Sequence, residues 1–332
     1  MKKSPRASFV KPILCLMLAA FVFFPFAGCG KKTDAIKVGM IKGPTGMGAV
    51  WLMEQNDLGQ TANKYAFELY GSSDEVSAKL LGGQLDIAAV PTNLAALLYN
   101  RTEGKIMVAA VHTLGMLYVL ENGETIQSME DLRGKEVHLA GKGGVPQYAF
   151  EYILTANGID PQNGLTIIYE SDHTTLATKM TAGIVEIGIL PEPNVTSVLM
   201  NNPDGIRIAL DLTEEWRKAV GDEESELAMG CLVVSREFAG KNPQALLDFL
   251  EEYENSINYV LANTGEAAAL CEKWGVIPKK DVAEAALPNY NITYIEGPEM
   301  VSIVKNFLNV LFGANPQSVG GKMPDEDFYY MK

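Results

Sequence analysis

Glu192 stands between Pro191 and Pro193, directly after the apolar run 185–190. An ionised carboxylate is costly to bury there unless it is paired. It either accepts hydrogen bonds from an amine- or amidine-like ligand, or it anchors the surrounding chain through a backbone or basic partner. The three histidines offer a second chemistry. His112 ends an apolar strand, His173 sits in a loop beside Asp172, and His138 lies inside a strand, where packing is the expected role. His112, His173 and Glu192 would make a metal set only if three distant loops met. No His-x-x-x-His or Cys-x-x-Cys spacing supports that, so neither metal nor cofactor is expected. No Ser/His/Asp or Cys/His arrangement stands out either, which points away from an enzyme and towards binding.

The other candidates come from glycine-rich and hydroxyl-bearing loops. Gly43, Gly46 and Gly48 flank Thr45 and Met47, a turn that permits close backbone approach but lacks the Gly-Lys-Ser/Thr of a phosphate-binding loop. These loops gain meaning from the elements around them. Residues 36–41, 65–70, 86–90 and 106–111 read as short apolar strands, with helices at 45–57, 74–81 and 92–99 between them. The rhythm restarts with strands at 137–140, 165–169, 185–190 and 206–210 and helices at 146–157, 174–182 and 193–201. Strands alternating with helices imply parallel sheets covered on both faces. Pro146 suits a first helical turn, and Gly158 suits the position past the end. Residues 227–234 read as a returning strand, and the remainder is mainly helical. Leu246, Leu250, Tyr253, Ile257 and Val260 form one inward stripe, and Met300, Val304, Phe307 and Leu311 form another.

In open α/β sheets, ligands sit beyond the carboxyl ends of the strands, at helix N-termini. That rule selects Thr45, Gly46 and Met47, then Ser72 and Ser73, then Thr92 and Asn93 as ligand-binding candidates. From the second set of loops come Gly143, Gly144, Tyr148, His173 and Glu192, with His112 near the expected hinge. Ser72, Thr92 and Asn93 also suit helix capping, and one residue can do both. Lys42 and Lys142 flank two of these loops, whereas no arginine lies in any of them.

Lys2, Lys3, Arg6 and Lys11 precede an apolar run, 12–27, that is shorter than the ~20 residues a membrane-spanning helix needs. Phe26-Ala27-Gly28-Cys29 resembles a lipobox, with Phe26 in place of the usual Leu. The resemblance implies a signal peptide over 1–28, lipid on Cys29, a tether over 29–33, and attachment to the extracytoplasmic face of a cell membrane. The full chain carries 27 basic and 41 acidic residues, a net charge of −14. The leader holds four of the basic residues and no acid, so its removal leaves −18. Such a surface disfavours nucleic acid. Cys15 leaves with the leader, and Cys231 and Cys271 lie in apolar surroundings as expected free thiols. About 300 residues remain, more than one core comfortably holds, so two lobes are expected.

Four segments, in order, carry a wider resemblance: the turn 43–48, the stretch 82–93 (Gly-Gly-Gln-Leu-Asp-Ile-Ala-Ala-Val-Pro-Thr-Asn), 131–135 (Asp-Leu-Arg-Gly-Lys) and 190–193 (Leu-Pro-Glu-Pro). Together they resemble the substrate-binding proteins of the nitrate/sulfonate/taurine class of ABC importers, over essentially the whole chain after the leader. The resemblance implies a type 2 periplasmic-binding-protein fold: two α/β lobes with a ligand cleft between them. Lobe one would comprise 34–114 and 229–332, and lobe two 115–228. It also implies an acidic residue at the cleft at the position of Glu192. The implied function is capture of a small organic solute, sulfonate- or carboxylate-bearing or pyrimidine-like. Delivery would be to ABC permease and ATPase subunits by a monomeric, lipid-anchored receptor. A ligand sensor presenting its bound form to a membrane receptor, or an exported enzyme on the same fold, are the alternatives.

Overall fold

The computed structural model describes residues 35–221 and 225–332, together with Met1. The leader, Cys29 and the tether lie outside the described residues. Among the described residues, eleven strands build two sheets. The first contains β1 (Ile36–Ile41), β2 (Tyr65–Tyr70), β3 (Ile87–Pro91) and β4 (Ile106–Thr113), in the spatial order β11-β4-β10-β3-β1-β2. The second contains β5 (Leu117–Glu121), β6 (Glu136–Leu139), β7 (Thr166–Tyr169), β8 (Ile187–Pro191) and β9 (Arg207–Asp211), in the order β7-β6-β8-β5-β9. The chain then returns to the first sheet as β10 (Gly230–Ser235) and β11 (Ile292–Ile295). Each sheet is flanked by its own helices, so the fold is α/β with two sheets.

The sheets are mixed rather than parallel, and the connections explain why. β1 pairs in parallel with β2 and β3, but β10 enters antiparallel between β3 and β4. In the second sheet β5 lies antiparallel between β8 and β9. Each crossover strand arrives from the other sheet, so it runs against its neighbours. β5 and β11 are absent from the sequence reading, which had the part after β10 as mainly helical; β10 itself starts at Gly230 instead of residue 227. The helix expected over 45–57 is broken into Pro44–Met47 and Val50–Asp57. A Cβ at Gly48 would lie 3.1 Å from the Tyr253 hydroxyl and 3.0 Å from Ile257, so this break seats the chain against the helix Pro243–Ala262.

Both predicted stripes are buried. The second does more than cover one sheet. Phe307, on the helix Gly297–Ala314, meets Trp216 at 5.5 Å between ring centroids, and Trp216 meets Tyr152 at 5.2 Å. Trp216 is fully buried, and its indole N–H donates to the Ser225 carbonyl over 3.2 Å. The helix following the first sheet's last strand thus packs onto helices of the second sheet, and one apolar cluster runs through both. The crossover segments are tied as well. Met229 N–H donates to the Thr113 carbonyl at 3.0 Å, and Leu114 N–H donates to the Asn291 carbonyl at 3.0 Å. Asn291 returns a side-chain hydrogen bond to the carbonyl of Gly115.

Candidate functional site

A cavity of about 210 Å³ opens where the carboxyl ends of strands from both sheets face one another. Its first-sheet wall is the β1 loop, with Ile41, Lys42, Pro44 and Thr45, and the end of β3 at Pro91. Its second-sheet wall is Gly141, Gly144, Val145 and Pro146 after β6, His173 after β7, and Pro191 ending β8. Thr113, Met116, Met229 and Gly230, from the two crossovers, close the back.

Three helices of ordinary length begin at this cavity: Thr92–Arg101 behind Pro91, Val145–Ala156 and His173–Thr181. The first turn of a helix leaves its backbone N–H groups without intrahelical partners and carries partial positive charge. In the helix Val145–Ala156 the glycine at the N-cap supplies no side-chain cap, and Pro146 removes one N–H. Val145 and Gln147 therefore keep amides available at the cavity wall. A fourth helix, Asn194–Asn201, begins nearby, but the Glu192 carboxylate already occupies its N-terminus.

Of the predicted residues, Thr45, Gly144 and His173 line the cavity. Gly46 and Met47 are buried behind Thr45. A Cβ at Gly46 would lie 2.9 Å from the Ile41 carbonyl oxygen, so this glycine serves loop packing. Gly143 adopts φ +79° and donates its N–H to Gln147 Oε1 at 2.7 Å, shaping the turn. Thr92 and Asn93 are buried beside the cavity. Thr92 Oγ1 and Asn93 Oδ1 have no hydrogen-bond partner among the described residues, while Asn93 Nδ2 donates to the Ser318 carbonyl at 3.2 Å. His112 is buried too; its Nδ1 lies 2.7 Å from Thr113 Oγ1, and its Nε2 is unpartnered. Burial pushes the His112 and His173 imidazoles down to about 4, so both are neutral near pH 7. His173 Nδ1 is buried without a partner.

Ser72, Ser73 and Tyr148 are not brought to this cavity. Ser72 is exposed and caps the helix Ser73–Leu81 by accepting from Glu75 N–H at 3.4 Å, a local role at the end of edge strand β2. Tyr148 is half-buried on the helix Val145–Ala156, away from the lining. Glu192 is also off the lining. Its Oε2 accepts from Thr196 N–H and its Oε1 from Thr196 Oγ1, each at 3.0 Å, and Asn289 donates a further side-chain bond. Burial raises its pKa, and these bonds oppose the rise. The carboxylate is thus paired within the protein, which is the anchoring alternative. Glu192→Ala is expected to lower the melting temperature by a few degrees, the cost of about 1–3 kcal/mol for orphaned partners. Ligand affinity should change by less than about threefold. A large affinity loss with unchanged melting, read by calorimetry and thermal denaturation, would return Glu192 to the ligand.

His138 does more than pack. It lies 2.8 Å from Glu170 Oε1, and Lys179 pairs with the other Glu170 oxygen at 2.6 Å. Among the described residues no group of three His, Cys, Asp or Glu side chains is placed to hold a metal. Cys231 and Cys271 are free and buried, with thiols pushed up to about 12 by burial. The lining residues that sequence reasoning missed include the crossover positions Thr113, Met116, Met229 and Gly230, the wall prolines, and Ile41, Gly141 and Val145. The strand ends at Pro91 and Pro191 were the available signal; the crossovers had none before pairing was known.

Residues 55–216 match the family of ABC-transporter phosphonate periplasmic substrate-binding proteins. The matched region and the fold are similar to those of ABC-transporter substrate-binding proteins. Among solved structures, an ABC transporter protein from Parabacteroides distasonis is 22% identical, with a TM-score of 0.74 over 90% of this chain and 99% of that one. The periplasmic aliphatic sulphonate binding protein SsuA from Escherichia coli is 14% identical, with a TM-score of 0.68 over 88% and 92%. The periplasmic nitrate-binding protein NrtA from Synechocystis is 12% identical, with a TM-score of 0.56 over 81% and 75%. No curated protein matches the chain in sequence.

Proposed function

We propose that this substrate-binding protein captures a small organic anion in the cavity between its sheets and hands it to the permease and ATPase subunits of an ABC importer. One observation carries the reading: three helices begin at a cavity whose described lining includes no carboxylate, and two of them, Thr92–Arg101 and Val145–Ala156, have no side-chain cap at their N-termini. The two acids that adjoin the lining in sequence are both engaged at helix N-termini: Asp172 accepts from Thr175 N–H at 2.7 Å, and Glu192 from Thr196 N–H at 3.0 Å. Free amides, Thr45 and Thr113 hydroxyls and the neutral His173 ring offer donors to an acidic head group. Ile41, Met116, Val145, Met229 and the prolines offer an apolar wall to its organic body. The relatives named for phosphonate, sulphonate and nitrate fit the same preference.

The lobes are 34–114 with 229–332, and 115–228. Closure of such lobes on a ligand presents a changed surface to the permease. Cleavage after residue 28 and lipid on Cys29 hold the monomer on the extracytoplasmic face of the membrane, near that permease. The protein binds and releases its solute without transforming it; both thiols are buried.

A thermal-shift panel of alkanesulfonates, carboxylates, phosphonates, nitrate, amines and pyrimidines tests this. A ligand at about 100 times its Kd adds ~2.7 kcal/mol, a rise of several degrees. Organic anions should give it, and amines should not. Stabilisation by amines alone, or by nothing, would overturn the reading.

A further inference from the structure

The positive potential of this cavity suits one negative charge and not two. No guanidinium reaches the lining, and its single formal cation, Lys42, is exposed to water. Lys142 nearby is also exposed, with its ammonium 5.0 Å from the Tyr169 ring centroid. What remains is the partial charge of helix ends, about half a unit each at most and falling off within a turn. To this the side chains add neutral donors and acceptors: Thr45, Thr113 and the unpartnered His173 Nδ1. A monoanion can spread its charge over such donors. A dianion would bring a second buried charge with no counter-ion, and burial of an unpaired charge is the larger cost.

Resting on the organic-anion reading, we propose that the cleft selects solutes whose acidic head carries a single negative charge, as a sulfonate or a phosphonate monoester does, and rejects the doubly ionised phosphonate. His173 assists this selection as a neutral hydrogen-bonding partner of one head-group oxygen.

The test compares matched heads on the same body. Propyl and phenyl sulfonates, the corresponding monomethyl phosphonates, the free phosphonates and the uncharged sulfonamides are titrated calorimetrically into the full-length protein. The titrations run at about pH 9, where the free phosphonate has lost its second proton. The sulfonates and monomethyl phosphonates should bind with similar affinity. The dianionic phosphonates should bind at least about thirtyfold more weakly, as expected for an unpaired buried charge. The sulfonamides should also bind more weakly than the sulfonates. Equal or tighter binding of the dianions overturns the single-charge proposal and leaves the organic-anion reading standing. Tighter binding of the sulfonamides overturns both, as does the absence of binding by any anion.

Discussion

Replacing His173 with alanine is expected to weaken binding of the organic anion at least tenfold, with little change in the melting temperature of the unliganded protein. The ring lies at the first turn of the helix His173–Thr181 and lines the cavity, and its Nδ1 is buried without a partner. In the unliganded protein an orphaned polar atom contributes no favourable contact, so its removal costs little and relieves desolvation. In the proposed complex the same atom would meet the ligand. A hydrogen bond to a charged group contributes about 1.5–3 kcal/mol, which corresponds to roughly 10–150-fold in affinity. Titration calorimetry and thermal denaturation of the two proteins separate the effects. Unchanged affinity with a several-degree fall in melting would make His173 a structural residue.

Glu121→Ala is expected to be the most destabilising single change among the ionisable residues of the second sheet, at about 3 kcal/mol. Glu121 ends β5 and is buried at 2% exposure. Its Oε1 accepts from Thr125 N–H at 2.8 Å and Thr125 Oγ1 at 2.6 Å, and its Oε2 accepts from Ile126 N–H at 3.1 Å and Arg207 at 2.7 Å. Arg207 also donates to the Gly123 and Ile126 carbonyls. One carboxylate therefore closes the turn after β5 and ties it to the start of β9. Burial alone would raise its pKa, but the bonds from Thr125 and Ile126, with the Arg207 charge, outweigh burial and hold it below the ordinary glutamate value. The sign follows from that depression. The contribution is complete above the ordinary glutamate value and is lost as pH falls through the lower folded value. Urea denaturation at neutral pH should show the full difference between Glu121→Ala and the parent, and at strongly acid pH the two should converge. A difference that persists unchanged into acid would assign the loss to packing.

Much of this architecture was legible in the chain because local rules and global fold agree over most of it. The strand–helix alternation, Pro146 in a first turn, Gly158 beyond a helix end and the two apolar stripes each say the same thing at different scales. The mixed sheets were not legible, since the direction of β5 and β10 depends on where the crossovers land and not on their apolar pattern. β11 is four residues with one register shift and resembles the loop around it. At the cleft, the rule about strand carboxyl ends selected Thr45, Gly144 and His173, which line the cavity. It also selected Ser72, because it gives every strand end equal weight, and β2 lies at the edge of the sheet. Glu192 drew attention through its flanking prolines, yet its partners Thr196 and Asn289 are visible only once the helix after β8 and the segment before β11 are in place.

The central claim is that the ligand sits on helix N-termini between the sheets. The most direct measurement is a map of backbone amide chemical shifts with and without an alkanesulfonate. The largest changes should fall on Thr45, Val145, Gln147 and His173, with smaller ones at Thr113 and Gly230. Changes confined to residues outside the cavity would contradict it.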